Sequence, residues 1–181
     1  MHPRARLPRA LVLLAAVLGP LLPGAAVDPA GPEPALDLIT LPRRQPARAF
    51  QAGTLANGTI RLDDLKGQVV FLNFWATWCG PCKEEMPAME RLYRRFKDRG
   101  LAVVALSVDP EPSAVAPFVR EHKLSFAIGL DPRMSVASLY GVRALPSTFI
   151  IDRRGILSSL ALGPREWDSR AAHAFFESLL R

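Results

Sequence analysis

Residues 68–87 read QVVFLNFWATWCGPCKEEMP, and a change of pattern inside this stretch decides the fold. Gln68 to Trp75 is almost continuously apolar and β-branched or aromatic, as in a central strand buried on both faces. From roughly Pro81 to Arg99 the spacing becomes helical, with Met86, Met89, Leu92, Tyr93 and Phe96 on one stripe and Gly100 as the stop. Pro87 falls two turns in, where a kink is expected. Both cysteines of the chain, Cys79 and Cys82, lie where the strand gives way to the helix.

Working outward, Leu101 to Val108 reads as a second buried strand, followed by a helix around Ser113 to His122 with Val115, Phe118 and Val119 inward. Strand, helix, strand, helix implies parallel pairing through a crossover. Ser125 to Gly129 reads as a short edge strand and Met134 to Tyr140 as a short helix. Thr148 to Asp152, the turn Arg153-Arg154-Gly155 and Ile156 to Leu162 form an antiparallel hairpin. A last helix near Arg165 to Leu180 buries Trp167, Ala171, Ala174, Phe175 and Leu179. Upstream, Asn57-Gly58 is a strong hairpin signal between segments near Phe50 to Leu55 and Thr59 to Leu62. The whole reads as a three-layer α/β sandwich with a central mixed sheet and an N-terminal β-hairpin.

The chain has 181 residues, about half of them apolar, enough for one sizeable core. Its first 26 residues differ: Arg4, Arg6 and Arg9 precede an apolar run from Ala10 to Leu22 that ends in Gly24, Ala25 and Ala26, a secretory signal pattern with cleavage expected near Ala26. The run is about 13 residues and carries Gly19 and Pro20, short of the roughly 20 that span a bilayer. Retention as an uncleaved anchor is the alternative. With no cysteine directly after it, a lipidated lipoprotein is excluded. Residues 27–48 are rich in Pro and Ala without sustained periodicity and read as a linker or flexible arm, with Leu36 to Leu41 packing on the domain. The folded domain is then 49–181. Three of the 23 Lys and Arg residues lie in the signal, leaving 20 against 17 Asp and Glu, a net +3. That balance gives no support for a nucleic-acid partner.

Three readings of the cysteine pair compete. A disulfide closing so short a loop constrains the unfolded chain little and is a poor staple. Zinc needs about four ligands, and outside the signal the histidines are His122 and His173, remote in sequence on predicted helices. Two thiolates alone suffice for Cu(I), so a copper-handling chaperone stays as the competing class. Redox chemistry needs no further ligand. The free N–H groups of the first helical turn favour an anion at Cys79. A thiol of pKa about 8.5 is only ~3% ionised at pH 7, and lowering it to ~7 raises the attacking species more than tenfold. Pro81 suits the helix start, where its missing N–H costs nothing. Cys79 is therefore read as the nucleophile and Cys82, one turn on, as the buried resolving thiol.

The run Phe74-Trp75-Ala76-Thr77-Trp78-Cys79-Gly80-Pro81-Cys82, with Lys83, Glu85 and Pro87 after it, resembles the thioredoxin superfamily, and within it the exported TlpA/ResA-like thiol-disulfide oxidoreductases. The resemblance extends from about Phe50 to the C-terminus. It implies a thioredoxin-like sandwich with an inserted strand and helix between Leu101 and Leu139. It also implies that Tyr140 to Asp152 (YGVRALPSTFIID) is the cis-proline loop, with Pro146 cis beside Cys79 and the backbone of Leu145 pairing with a substrate. Trp78, Gly80 and Pro81 complete the expected substrate-binding surface. Where thioredoxins carry a buried Asp in the strand before the active site, this chain has Asn73, which cannot take a proton. The family's corresponding carboxylate is Glu85, whose burial would raise its pKa and make it a base near neutral pH; the alternative is that Glu84, Glu85 and Glu90 decorate a solvated helix.

The loop reads Ala144 where this branch often has Gly, and Pro146-Ser147-Thr148 rather than the Pro-Glu-Thr of CcmG-type cytochrome c maturation proteins. Peroxiredoxins place their cysteine in a Thr-x-x-Cys context, whereas Thr77 is two residues before Cys79. The expected function is a periplasmic reductase of protein disulfides, in cytochrome c or copper-protein maturation, with thiol oxidase or isomerase as the alternative. No cofactor beyond the Cys79–Cys82 disulfide is expected. The expected partners are disulfide-containing proteins and a membrane thiol-disulfide electron donor, and the expected state is a monomer.

Overall fold

In the computed structural model the described residues are 35–181, the side chains of residues 42–44 apart. The expected signal and the first part of the expected arm lie outside them. The strands are β1 (Ile39–Pro46), β2 (Gln51–Thr54), β3 (Thr59–Arg61), β4 (Val69–Trp75), β5 (Leu101–Ser107), β6 (Ala127–Leu130), β7 (Ser147–Ile151) and β8 (Ile156–Leu162). The helices are α1 (Gly80–Phe96), α2 (Val115–Glu121), α3 (Ser135–Leu139) and α4 (Arg170–Leu179). One mixed sheet carries the strands in the order β1-β8-β7-β4-β5-β6-β2-β3.

The continuous apolar runs become the two central strands. All seven residues of β4, and all seven of β5, are buried. The two strands pair in parallel from Val69↔Leu101 to Trp75↔Ser107, and β7 pairs antiparallel on the other side of β4, setting Thr148 opposite Asn73. Side chains alternate along β4, so each parity meets a different layer. Phe71 packs on Trp167 and on Phe176 of α4, with ring centroids 4.7 and 6.0 Å apart. Phe96 of α1 also meets Phe176. Phe74, on the opposite face, meets Tyr140 at the end of α3 and Phe149 of β7. The sandwich therefore has three layers, with the thioredoxin-like architecture the sequence implied.

Several boundaries differ from the sequence reading. The arm expected over 27–48 contributes the edge strand β1, paired antiparallel with β8 across a register shift between Thr40 and Gln45. Pro42 and Pro46 remove ladder donors, which an edge strand tolerates, and the bulge erases the alternation that would have revealed it. Leu36 and Leu38 pack on the core. β6 is internal rather than an edge, because β2 pairs with it antiparallel and the hairpin β2–β3 extends the sheet. Gly129 permits the close packing there, since an added Cβ would lie 2.4 Å from the Leu106 side chain. α1 runs unbroken through Pro87 and ends in a 3-10 turn, Lys97–Arg99. α4 begins at Arg170, where Ser169 Oγ accepts the Ala172 N–H at 3.1 Å. Its buried stripe is Ala172 and Phe176, one residue out of phase with the predicted Ala171 and Phe175, because the doublet Phe175-Phe176 leaves the phase ambiguous. Trp167 is fully buried, but from the loop before the helix.

Candidate active site

Cys79 is the N-cap of α1, with extended backbone angles, and Pro81 sits in the first turn. The two cysteines form a disulfide with their Cα atoms 5.3 Å apart. The Cys82 N–H points at Cys79 Sγ, 3.3 Å away. That orientation of a free helix-terminal donor toward the sulfur favours negative charge on it when the bond is opened. Cys82 has no exposed surface and Cys79 keeps 7%, while the adjoining Trp78 is 66% exposed. Only the first sulfur is within reach of another protein.

The Leu145–Pro146 peptide bond is cis. Leu145 and Ala144 join Trp78, Cys79, Val108 and Met134 around a cavity of about 710 Å³. Its wall is largely apolar, so an extended, apolar segment laid over Cys79 would gain burial there.

Glu85, one turn beyond Cys82, is not on a solvated face. It is 3% exposed and its carboxylate receives three donors. Asn73 Nδ2 reaches Oε1 at 3.0 Å, whereas the Arg165 N–H and Trp167 Nε1–H reach Oε2 at 3.2 and 2.9 Å. Burial pushes its pKa up to about 7, against the opposing pull of the three hydrogen bonds and the Arg165 charge. A cleft of about 280 Å³, walled by Leu36, Ala88 and Arg165, touches Glu85 and shares no residue with the cavity at Cys79. The Arg165 guanidinium closes that wall by donating to the carbonyls of Leu36 and Asp37. Glu90 is also buried, but Arg94 and Ser125 occupy it, and Glu84 is exposed.

Sequence reasoning placed Cys79, Cys82, Glu85 and Pro146 at one site and missed the groups that hold them. Trp167 read as helix core; the usable signal was that a buried indole N–H requires an acceptor. No sequence signal marks Asp109. Buried two residues past the end of β5, it accepts the Thr77 N–H at 3.0 Å, the Thr77 hydroxyl at 2.6 Å and the Ser107 hydroxyl at 2.7 Å, pinning the loop two residues before Cys79. Asp109→Ala would orphan those donors, and a loss of about 2–3 kcal/mol is expected from urea unfolding. Asp109→Asn, which keeps an acceptor, should lose less. The histidines have ordinary partners: His122 stacks on Phe118 and His173 bonds Asp168. Among the described residues no group of three or more His, Cys, Asp or Glu side chains is placed to share a metal ion.

The chain is similar to thiol-disulfide oxidoreductases named ResA. It is 41% identical to that of Bacillus thuringiensis (strain Al Hakam) over 114 residues, 63% of this chain and 66% of the relative. It is 42% identical to that of Bacillus subtilis (strain 168) over 104 residues, 58% of each chain. The chain thus spans just under two thirds of the length of the first of these curated relatives. Among solved structures, that of a candidate thiol:disulfide interchange protein DsbE from Chlorobium tepidum superposes with a TM-score of 0.73 at 32% identity, covering 78% of this chain and all of the other. StoA from Bacillus subtilis superposes with a TM-score of 0.59 at 26% identity, over 74% of this chain and 96% of the other. Residues 44–159, spanning the Cys79–Cys82 pair, the cis-proline, β7 and most of β8, match the model of the AhpC/TSA family, and the chain belongs to that family.

Proposed function

We propose that the protein is an exported thiol-disulfide oxidoreductase that reduces disulfides of other proteins through Cys79 and Cys82. The observation that carries this reading is the placement of the pair: a disulfide at a helix N-terminus, its outer sulfur on a largely apolar cavity beside a cis-proline, its inner sulfur buried. The names of the relatives support the same chemistry.

In the reduced protein the Cys79 thiolate attacks one sulfur of the target disulfide. A mixed disulfide forms and the target's other sulfur leaves as a thiolate, taking a proton from water. Cys82 then passes its thiol proton to the Glu85 carboxylate and attacks Cys79 Sγ. The second target thiolate leaves and the Cys79–Cys82 disulfide closes. Two electrons have passed from the protein's dithiol to the target disulfide. Trp78, Gly80, Pro81, Leu145 and Pro146 form the surface on which the target's extended chain lies. The next cycle needs a membrane thiol-disulfide donor, since the compartment is oxidising. We assign residues 1–26 as the export signal, 27–48 as the connecting arm with β1 at its end, and 49–181 as the catalytic domain of a periplasmic monomer acting in cytochrome c or copper-protein maturation.

Gly80-Pro81 supports the reducing direction, being the dipeptide of proteins poised near about −270 mV rather than the ~−120 mV of a strong oxidant. The test is turnover of a protein disulfide by the reduced full chain. Catalytic release of target thiols with equimolar formation of the Cys79–Cys82 disulfide is expected. Tight Cu(I) binding with no turnover would replace the reading with a copper chaperone.

A further inference from the structure

We propose that Asn73 is a positioning residue of switchable polarity, whose amide offers Nδ2 to Glu85 when the carboxylate is ionised and turns over to offer Oδ1 when the carboxyl holds the proton. The role rests on reading Glu85 as the group that takes the Cys82 proton.

The geometry singles out this residue. Asn73 is fully buried in β4, and its Nδ2 donates both to Glu85 Oε1 and to Thr148 Oγ1, each at 3.0 Å. Its Oδ1 is, with Trp75 Nε1, one of two buried side-chain polar atoms without a partner among the described residues. The other donors to Glu85, the Arg165 N–H and the Trp167 indole, both bind Oε2 and neither can accept a hydrogen bond. An arriving proton therefore settles on Oε1, facing Asn73. As it stands, Nδ2–H would then meet O–H, donor against donor. An amide is nearly symmetric in shape, so half a turn about its terminal torsion exchanges nitrogen and oxygen with little change in packing. In the turned state Oδ1 accepts from the Glu85 O–H and from the Thr148 hydroxyl, and Nδ2 becomes the unpartnered end. Both states make the same number of hydrogen bonds, so the proton on Glu85 decides between them.

Neither an aspartate nor an aliphatic residue could do the same. An aspartate would set a like charge against Glu85, and an aliphatic side chain would satisfy neither state. The remaining polar and charged groups around Glu85 do not change with its protonation. Arg165, from the loop before α4, is held by the arm at Asp37. Trp167 is neutral, Thr148 of β7 is neutral, and Glu84 and Glu166 stand on the rim of the cleft. Cys82 is bonded to Cys79 in this state.

The test is a pH titration of the full chain in its disulfide form, followed by NMR at the Glu85 carboxyl carbon and the Asn73 side-chain amide. The cross-peak between the Asn73 amide protons and Thr148 is expected to fade as pH falls, with the midpoint of the Glu85 titration. A cross-peak that persists unchanged through that midpoint overturns the proposal. In Asn73→Leu both protonation states of Glu85 lose their bond to residue 73, so the midpoint should rise only by the excess of a charge-assisted over a neutral hydrogen bond, about one pH unit or less. A rise of about two units or more in a folded Asn73→Leu protein, as for a donor that serves the anion alone, overturns it equally. Because the titration uses the disulfide form and needs no substrate, its outcome is separate from that of the turnover assay on which the reductase reading stands.

Discussion

Cys79→Ala is expected to bring exchange with protein disulfides down to the buffer background, while Cys82→Ala should perform the first step and stop. The two cysteines occupy different environments at the same helix terminus. Cys79 is the N-cap, keeps an exposed edge, and would hold its negative charge against the free N–H groups of the first turn. Removing it leaves no accessible thiol. Cys82 is sealed from solvent, so a target joined to Cys79 has no route of release except attack from within. Cys82→Ala should therefore accumulate a mixed disulfide visible by non-reducing electrophoresis and mass spectrometry, lost on adding dithiothreitol. A Cys82→Ala protein that turns over like the unmodified chain would mean Cys82 is no resolving thiol.

The second large effect concerns Glu85 and pH. Its carboxyl is raised from 4.5 to about 7 in the folded protein by burial. Between those values the unfolded chain gives up the proton and the folded chain keeps it. The contribution to stability is thus fully present below about pH 4.5, falls as pH rises toward 7, and is gone above it. At 1.36 kcal/mol per unit the whole change is about 3 kcal/mol. Unfolding of the disulfide form in urea at a series of pH values should show this decline, and Glu85→Gln should abolish the Glu85 part of it. Parallel pH curves for the two proteins would contradict the assignment. In the proposed mechanism the same substitution takes away the proton acceptor for Cys82 and should slow closure of the disulfide by about 10²–10⁴-fold, with formation of the mixed disulfide little changed.

The central strands, the helix behind the cysteines and the order of elements were legible because each is written in a local pattern: seven buried residues in a row, or a stripe at helical spacing. β1 was not legible, since an edge strand with a bulge and two prolines has neither pattern. The internal position of β6 was hidden for another reason. Its neighbour β2 lies more than 70 residues earlier, and pairing over that separation leaves no local trace beyond Gly129. At the site, the cysteines announce themselves through spacing. Glu85 took its meaning from where helix and sheet meet, and its partners Asn73, Arg165 and Trp167 come from β4 and from the loop before α4. A carboxylate buried between three elements is a tertiary property; its burial and raised pKa were expected through the family resemblance and not from the residues around it.

If Cys79 and Cys82 form a dithiol poised to give electrons to other proteins' disulfides, the pair must be strongly reducing. The measurement that tests it most directly is the equilibrium reduction potential of the pair in the full chain, titrated against a thiol–disulfide buffer at pH 7 with tryptophan fluorescence as the readout. A single two-electron transition is expected near the reducing end of the thioredoxin-fold range, about −270 mV, which favours reduction of targets by roughly 10⁵ relative to a pair at about −120 mV. A potential above about −150 mV would contradict it and make the protein an oxidase or isomerase.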